Sequence, residues 1–264
     1  MHYGFEVDLN LTKFVRSQIA QVMRPYVLDG GALAGVRDLA LQAGLPPNLV
    51  PLRHDIDVDA VFDLMRDEGI PLAPVPRASI AVELLAAEGS VGRRAVLDTR
   101  SSEIAEDCTE VFMRTSDNPL AGFAQEGVEA LLSDLPSAAQ ALFTVITGTI
   151  IDNLGFANAP GWKQALRRID RNEDKAPKYE LQHMPSELNS LPGYEYWVAA
   201  PLWHALPSAL FKKGEELPNR WARHASTHAV SAVHYNVPNA VIAMMTVAAL
   251  LDLLDLYERR EDER

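Results

Sequence analysis

The run from Ala240 to Leu251 is strongly apolar and contains no charged residue. It is long enough to fix whatever precedes it to a core. It is shorter than the ~20 apolar residues that cross a bilayer, and Asp252 and Asp255 close it. Directly before it lies Asn219-Arg220-Trp221-Ala222-Arg223-His224-Ala225-Ser226-Thr227-His228-Ala229-Val230. A soluble helical core with a cationic, histidine-bearing segment held against it is the expectation that follows.

The rest of the chain agrees with a helical architecture. No stretch alternates with period two between hairpin turns, so strands are not expected. Three-to-four apolar spacing predicts helices over Asp8–Tyr26, Leu33–Ala43 and Val58–Asp67, the last with Val61, Phe62, Leu64 and Met65 inward and Gly69 as its stop. Asp57 or Asp55 is the expected cap of that third helix. A short helix over Ala78–Ala87 precedes Gly89 and Gly92. Longer helices follow over Ser101–Met113, Pro119–Leu132 and Pro136–Leu154, the last with Ala138, Ala139, Leu142, Val145, Ile146 and Ile150 inward. A charged helix is predicted from Pro160 through Arg171, a loop from Pro177 to Gly193 and an apolar helix over Trp197–Phe211. The last two helices are expected from Glu215 or Asn219 to Tyr235 and from Pro238 to Arg260, with Pro238 at a helix start.

The prolines of Gly69-Ile70-Pro71-Leu72-Ala73-Pro74-Val75-Pro76 disfavour helix in the residues before them. They mark the expected boundary between a helical N-terminal region, 1–76, and a C-terminal helical bundle, 77–264. The formal charge of −12 argues against a protein that coats nucleic acid through a basic surface. It leaves room for a local cation cluster inside an acidic shell. Cys108 is the single cysteine, which suits a reducing cytoplasm and excludes an internal disulfide. Met1 to Asp8 lacks the basic start and apolar stretch of a signal peptide. A cytoplasmic protein that does not enter the membrane is expected.

The chemistry is sought at Arg223, His224 and His228. Arginine is a permanent cation whose planar fork grips phosphate, and histidine exchanges a proton near neutral pH. On a helix His224 and His228 share a face, whereas Arg223 and His228 stand about 140° apart. One helix is therefore a loose scaffold for the pair, and two copies packed antiparallel gather two arginines and two histidines in one cleft. Such a cleft cleaves RNA without metal: histidine takes the 2′-hydroxyl proton, the oxygen attacks phosphorus, and arginine neutralises the growing charge.

Other residues compete with this reading. His224 and His228 have the spacing of a zinc-binding helix with His234 as a third ligand, but Ala225 stands where a metalloprotease needs glutamate. No metal or other cofactor is expected, and one histidine serving as a core residue ranks above metal binding. Glu103, Asp107 and Glu110 could face Arg223, or simply form a solvated helix face. Arg53-His54-Asp55-Ile56-Asp57 reads first as a loop leading into a helix. Cys108 reads as packing, as do Trp162, Trp197, Trp203 and Trp221.

The Arg223-His224-Ala225-Ser226-Thr227-His228 segment, near the end of an all-α chain, resembles the active-site motif of the HEPN ribonucleases. Together with Asn239-Ala240-Val241-Ile242-Ala243-Met244 it is also similar to actinobacterial proteins with a C-terminal NRHAxxH-type segment. That second likeness extends over roughly residues 70 to 256. The resemblance implies a HEPN-like bundle that dimerises into a composite RNase cleft, often in toxin–antitoxin or antiphage defence. Arg223 and His228 match the two catalytic positions, and His224 matches the polar position beside the arginine. The chain departs from the motif at Ala222, where asparagine is expected, at Ala229 in place of glycine, and at Val230 in place of a tyrosine that some toxins have nucleotidylated.

Two functions are thus expected. The first is a metal-independent dimeric endoribonuclease with an RNA substrate and a regulatory or antitoxin partner. The second is a non-catalytic helical interaction module in which the Arg/His cluster forms a structural polar network.

Overall fold

In the computed structural model the chain divides into two compact units, Met1–Ala43 and Gly44–Arg264. The residues described are 45–52, 57, 60–61, 64–65, 68–152, 194, 197–198, 201–202, 217–228 and 230–262, all in the second unit. The helices expected over Asp8–Tyr26 and Leu33–Ala43, the charged helix beginning at Pro160 and the loop over Pro177–Gly193 lie outside them.

Among the described residues the fold is all-helical, with seven α-helices and no strand. They are α1 (Ala78–Ala86), α2 (Gly89–Thr99), α3 (Ser101–Arg114), α4 (Pro119–Leu132), α5 (Pro136–Asp152), α6 (Arg223–His228) and α7 (Val237–Asp262). A 3₁₀ turn over Val50–Leu52 precedes them.

The apolar run organises the core. It forms the first half of α7, and every residue from Ala240 to Leu251 is buried. A helix apolar on all sides needs neighbours on all sides, and α2, α3, α4 and α5 supply them. The helix is longer than the run, so Asp252 does not stop it. Asp252 instead accepts hydrogen bonds from Arg114 of α3, with Nε at 3.2 Å, and from the hydroxyl of Tyr194. By length and composition Val237–Arg259 could cross a membrane, yet 78% of its most apolar window is buried inside the protein.

The proline-rich stretch expected as a domain boundary is packed. Ile70, Leu72, Ala73 and Val75 are buried, and the division between compact units falls upstream, between Ala43 and Gly44. The Asn48 side-chain amide ties the stretch down by donating to the Leu72 and Pro76 carbonyls at 3.1 and 2.7 Å. Residues before proline are pushed to extended backbone, and here that extended chain is covered rather than exposed. Ahead of it Val61, Leu64 and Met65 are buried, Asp57 Oδ1 accepts from Ala60 N at 3.2 Å as a cap, and Gly69 turns with φ +68°. Phe62 lies outside the described side chains.

Two sequence expectations shift. No helix is expected from the sequence between Gly89 and Ser101, yet Gly89 begins α2 there, at φ +62°. On α5 the inward face carries Ala139, Gln140, Phe143, Thr144, Ile146, Thr147 and Ile150, whereas Val145 and Ala138 are exposed. The reason is that apolar spacing alone cannot choose between two adjacent stripes on a helix with no charged residue before Asp152. Gln140, Thr144 and Thr147 face inward because polar partners await Gln140 and Thr144 there, and Thr147 bonds its own helix, donating to the Phe143 carbonyl at 2.8 Å.

Candidate functional site

The segment before α6 is pinned first. Trp221 and Ala222 are buried, and the Trp221 indole donates to Thr144 Oγ1 of α5 at 3.2 Å. Burial is the role expected of Trp221, and Trp197 is buried likewise; Trp162 and Trp203 lie outside the described residues. From this anchor the chain enters α6, which packs on α5.

A continuous helix from Glu215 or Asn219 to Tyr235 is not what forms. Within 215–235 the described residues are α-helical only over Arg223–His228, and α7 begins at Val237. Local side chains compete for the backbone. The Tyr235 hydroxyl donates to the Ser226 carbonyl, and Ser231 Oγ accepts from Val233 N at 3.3 Å. Ser231 O accepts from the amides of His234 and Tyr235, at 3.0 and 2.8 Å, closing a turn. Asn236 then caps α7, its Oδ1 accepting from Asn239 N at 3.0 Å.

The three motif residues occupy different environments. Arg223 is half-buried, and its guanidinium lies against Gly148 of α5: a Cβ built on Gly148 would stand 3.2 Å from Arg223 Nη1. His228 is exposed at the end of α6. His224 is half-buried, and its ring meets that of His228 edge-on, with centroids 4.4 Å apart. One chain therefore brings the two histidines together and turns Arg223 toward α5, as the 140° separation requires.

His234 does something else. It is fully buried in the turn after α6. Its Nδ1 faces the Pro218 carbonyl at 2.9 Å, and a carbonyl only accepts, so Nδ1 carries the proton. Its Nε2 then accepts from the Ser226 hydroxyl, 2.7 Å away, and Ser226 Oγ in turn accepts from Gln140 Nε2 of α5 at 3.1 Å. Burial pulls the His234 pKa below its ordinary value of 6.5; backbone hydrogen bonding at Pro218 and Arg220 opposes the shift, and the Arg94 charge adds to it. With both ring nitrogens engaged inside the core, His234 is not available as the third ligand of a metal held by His224 and His228. It is the core histidine of the segment.

The network continues beyond the histidine. Asn239 Nδ2 of α7 donates to the His234 carbonyl at 2.6 Å. Arg94 of α2 donates from Nη1 to Asn239 Oδ1 at 2.9 Å and from Nη2 to Asn236 Oδ1 at 2.8 Å. None of Ser226, Gln140, Asn239 or Arg94 stood out as a functional residue in the sequence. Gln140 carried the one usable signal, a long polar side chain amid the apolar residues of α5.

The acids proposed to face Arg223 have other partners. Asp107 receives the Arg77 amide at 2.7 Å and its Nε at 2.8 Å, and Glu103 receives Arg100 Nη1 at 2.7 Å. Glu110 is exposed. Cys108 is buried, and desolvation raises its thiol pKa well above the usual range, which suits packing. His54 lies outside the described residues.

No protein-family model, no curated protein and no solved structure matches the chain.

Proposed function

We propose that the chain is a metal-independent endoribonuclease of HEPN type that works as a dimer in the cytoplasm. Arg223 binds the scissile phosphate, His228 exchanges the proton, and His224 supports the His228 ring. The observation that carries this reading is the composition of α6: six residues present an arginine braced on α5, an exposed histidine, and a second histidine against its ring. A helical bundle with such a helix set before a long apolar one is also what the HEPN resemblance leads one to expect.

The chemistry balances without a cofactor. The 2′-oxygen forms a bond to phosphorus as its proton passes to His228, the bond to the 5′-oxygen breaks, and that oxygen takes a proton from a histidine of the second copy. Arg223 neutralises charge on the phosphate oxygens as the transition state forms. The products are a 2′,3′-cyclic phosphate and a 5′-hydroxyl, and DNA, lacking the 2′-hydroxyl, is not cut. In this reading Arg223, which lies against α5, and the exposed His228 are each complemented by the same residues of a second copy.

The alternative, an interaction module without catalysis, draws on the exposed apolar residues beside α6, Val230 at 86% and Val233 at 48%. In that reading the polar network around α6 includes Ser226, His234, Gln140, Asn239 and the half-buried Arg94.

The test is RNA cleavage by purified protein, with growth arrest on expression as a second readout. Arg223→Ala and His228→Ala should each lower cleavage by at least about 10²-fold while leaving folding and self-association intact. Cleavage unchanged in both variants sinks the nuclease. Loss of association in His228→Ala, with no RNA phenotype in either protein, establishes the interaction module in its place.

A further inference from the structure

The elements around α6 are joined by one continuous chain of hydrogen bonds. It starts on α2 at Arg94, passes through Asn239 in the first turn of α7 to the His234 carbonyl, and runs from the His234 ring to Ser226 in the middle of α6. Gln140 of α5 joins at Ser226, and Pro218, before α6, joins at the ring. Ser226 is three residues after Arg223 and two before His228, so fixing it fixes the rotation of the whole six-residue helix.

The direction of each bond is determined. Pro218 O can only accept, so His234 Nδ1 donates, and in the neutral ring that burial favours Nε2 accepts. Ser226 must then donate to Nε2, which leaves its oxygen to accept from Gln140. The serine is thus held by one donor and one acceptor on opposite elements. Asn239 is likewise used at both ends, donating to His234 and accepting from Arg94. At the far end Arg94 is gripped by the side-chain oxygens of Asn236 and Asn239, and two parallel bonds fix the plane of the guanidinium. Neither Arg94 nor Gln140 belongs to α6, yet Gln140 is one hydrogen bond from it and Arg94 three.

A six-residue helix has little stability of its own. Its orientation comes from what holds it, and productive geometry in a site of this kind is a matter of fractions of an ångström. We infer that Ser226, His234, Asn239 and Arg94 are positioning residues for the Arg223/His228 site, setting the rotation of α6 so that the arginine and histidine meet their counterparts on a second copy. This inference rests on the ribonuclease reading for its catalytic consequence but not for its structural one.

The experiment uses the full chain with Ser226→Ala, which cuts the chain at α6, and Arg94→Lys, which cuts it at the far end by replacing a fork with a point charge. Three quantities are measured on each: folding by circular dichroism, RNA cleavage resolved into kcat and KM, and the ring ¹H–¹³C NMR signals of His224 and His228. Those two rings touch, so their signals report the geometry of α6 whether or not RNA is cut.

The expected result is a folded variant whose kcat falls by about tenfold or more while KM moves by less than about threefold, with the His224 and His228 signals displaced. Ser226→Thr, which keeps the hydroxyl, should recover the signals and part of the rate. Unchanged ring signals in folded Ser226→Ala and Arg94→Lys overturn the inference. So does failure of both variants to fold, because the network would then hold the fold as a whole. A wild-type chain that cuts no RNA refutes the ribonuclease reading alone; displaced ring signals in the variants still support the positioning role.

Discussion

Gly148→Ala should separate stability from activity, because the position carries a helical glycine on one side of the ledger and the Arg223 guanidinium on the other. Gly148 lies inside the 17-residue helix α5, where replacing glycine by alanine stabilises by roughly 0.5–1 kcal/mol. Against this stands the contact: the new Cβ would lie 3.2 Å from Arg223 Nη1. Ordinary heavy-atom contact begins near ~3.5–4.0 Å, so the guanidinium must withdraw by a few tenths of an ångström. It is the far end of a long side chain, and such a shift costs about 0.5–1.5 kcal/mol if it forces a torsion off its minimum and almost nothing if it does not. The net change in stability lies between about −1 and +1 kcal/mol, a shift of no more than about 4 °C in Tm.

Activity responds differently. A misplacement of ~1 Å at a catalytic group costs about 10²-fold in rate, so a shift of about 0.3 Å in the phosphate grip corresponds to about fourfold in kcat for RNA cleavage. Thermal unfolding and steady-state cleavage of one labelled RNA, run on the wild type, Gly148→Ala and Arg223→Ala, supply the comparison. Stability within that range together with a cleavage loss intermediate between the wild type and Arg223→Ala is the expected outcome. Full activity in Gly148→Ala beside a dead Arg223→Ala would refute the reasoning, because it would mean that the guanidinium works away from its seat on α5. A loss of more than about 2 kcal/mol would refute it as well, by showing that Arg223 is too rigidly packed to yield.

Two further outcomes follow from the core. Because burial depresses the His234 pKa below 6.5, the unfolded chain binds that proton more readily, so its contribution is complete above pH ~6.5 and is lost as pH falls through that value toward the folded pKa. Denaturant midpoints taken between about pH 7.5 and 5.5 should decline more steeply for the wild type than for His234→Gln, and parallel slopes would remove His234 as the cause. Gly127→Ala places a Cβ 2.7 Å from Phe143 Cζ and 2.8 Å from Cε1, against a ring that is fully buried. Overpacking of about 1–3 kcal/mol should outweigh the helix-propensity gain of roughly 1 kcal/mol. Phe143→Leu should be less costly in the Gly127→Ala background than alone, a coupling that calorimetry of the four proteins reads directly.

The helices that the sequence revealed are those whose ends carry their own chemistry. Pro119 and Pro136 each sit at the first residue of a helix, where φ near −65° is already set and no amide is lost, and α4 was legible to the residue. Asn118 adds a side-chain cap to α4 by accepting from Leu120 N at 3.0 Å. The end of α4 was equally clear, since Asp134 takes φ +60° and the chain turns into α5 within three residues. The helix over Arg223–His228 was overextended because its limits come from elsewhere. Ser226 must face Gln140 and His234, and Tyr235 must reach back to the Ser226 carbonyl. None of those partners can be read from a periodicity, because they are set by packing between segments up to 86 residues apart.

The same argument explains what became of the three histidines. From the sequence His228 takes the proton-transfer role and His224 the position beside the arginine, and spacing offers His234 only as a third ligand in the metal reading that ranks below a core histidine. Packing divides them. His234 is drawn into the core because Ser226 and Pro218 there satisfy both ring nitrogens, and a buried polar ring without such partners would cost several kcal/mol. His228 stays outside because it lies 200° around α6 from Ser226, and a helix that turns its serine inward must turn that histidine outward. Arg223, 60° from Ser226, is carried toward α5 by the same rotation. One inward serine therefore determines where the arginine and the exposed histidine point, and the two point apart. The proposed reaction needs both on one phosphate, and a second copy that supplies the counterpart of each is how that proposal brings them together; on that reading cleavage should fall when the protein is diluted below its self-association range.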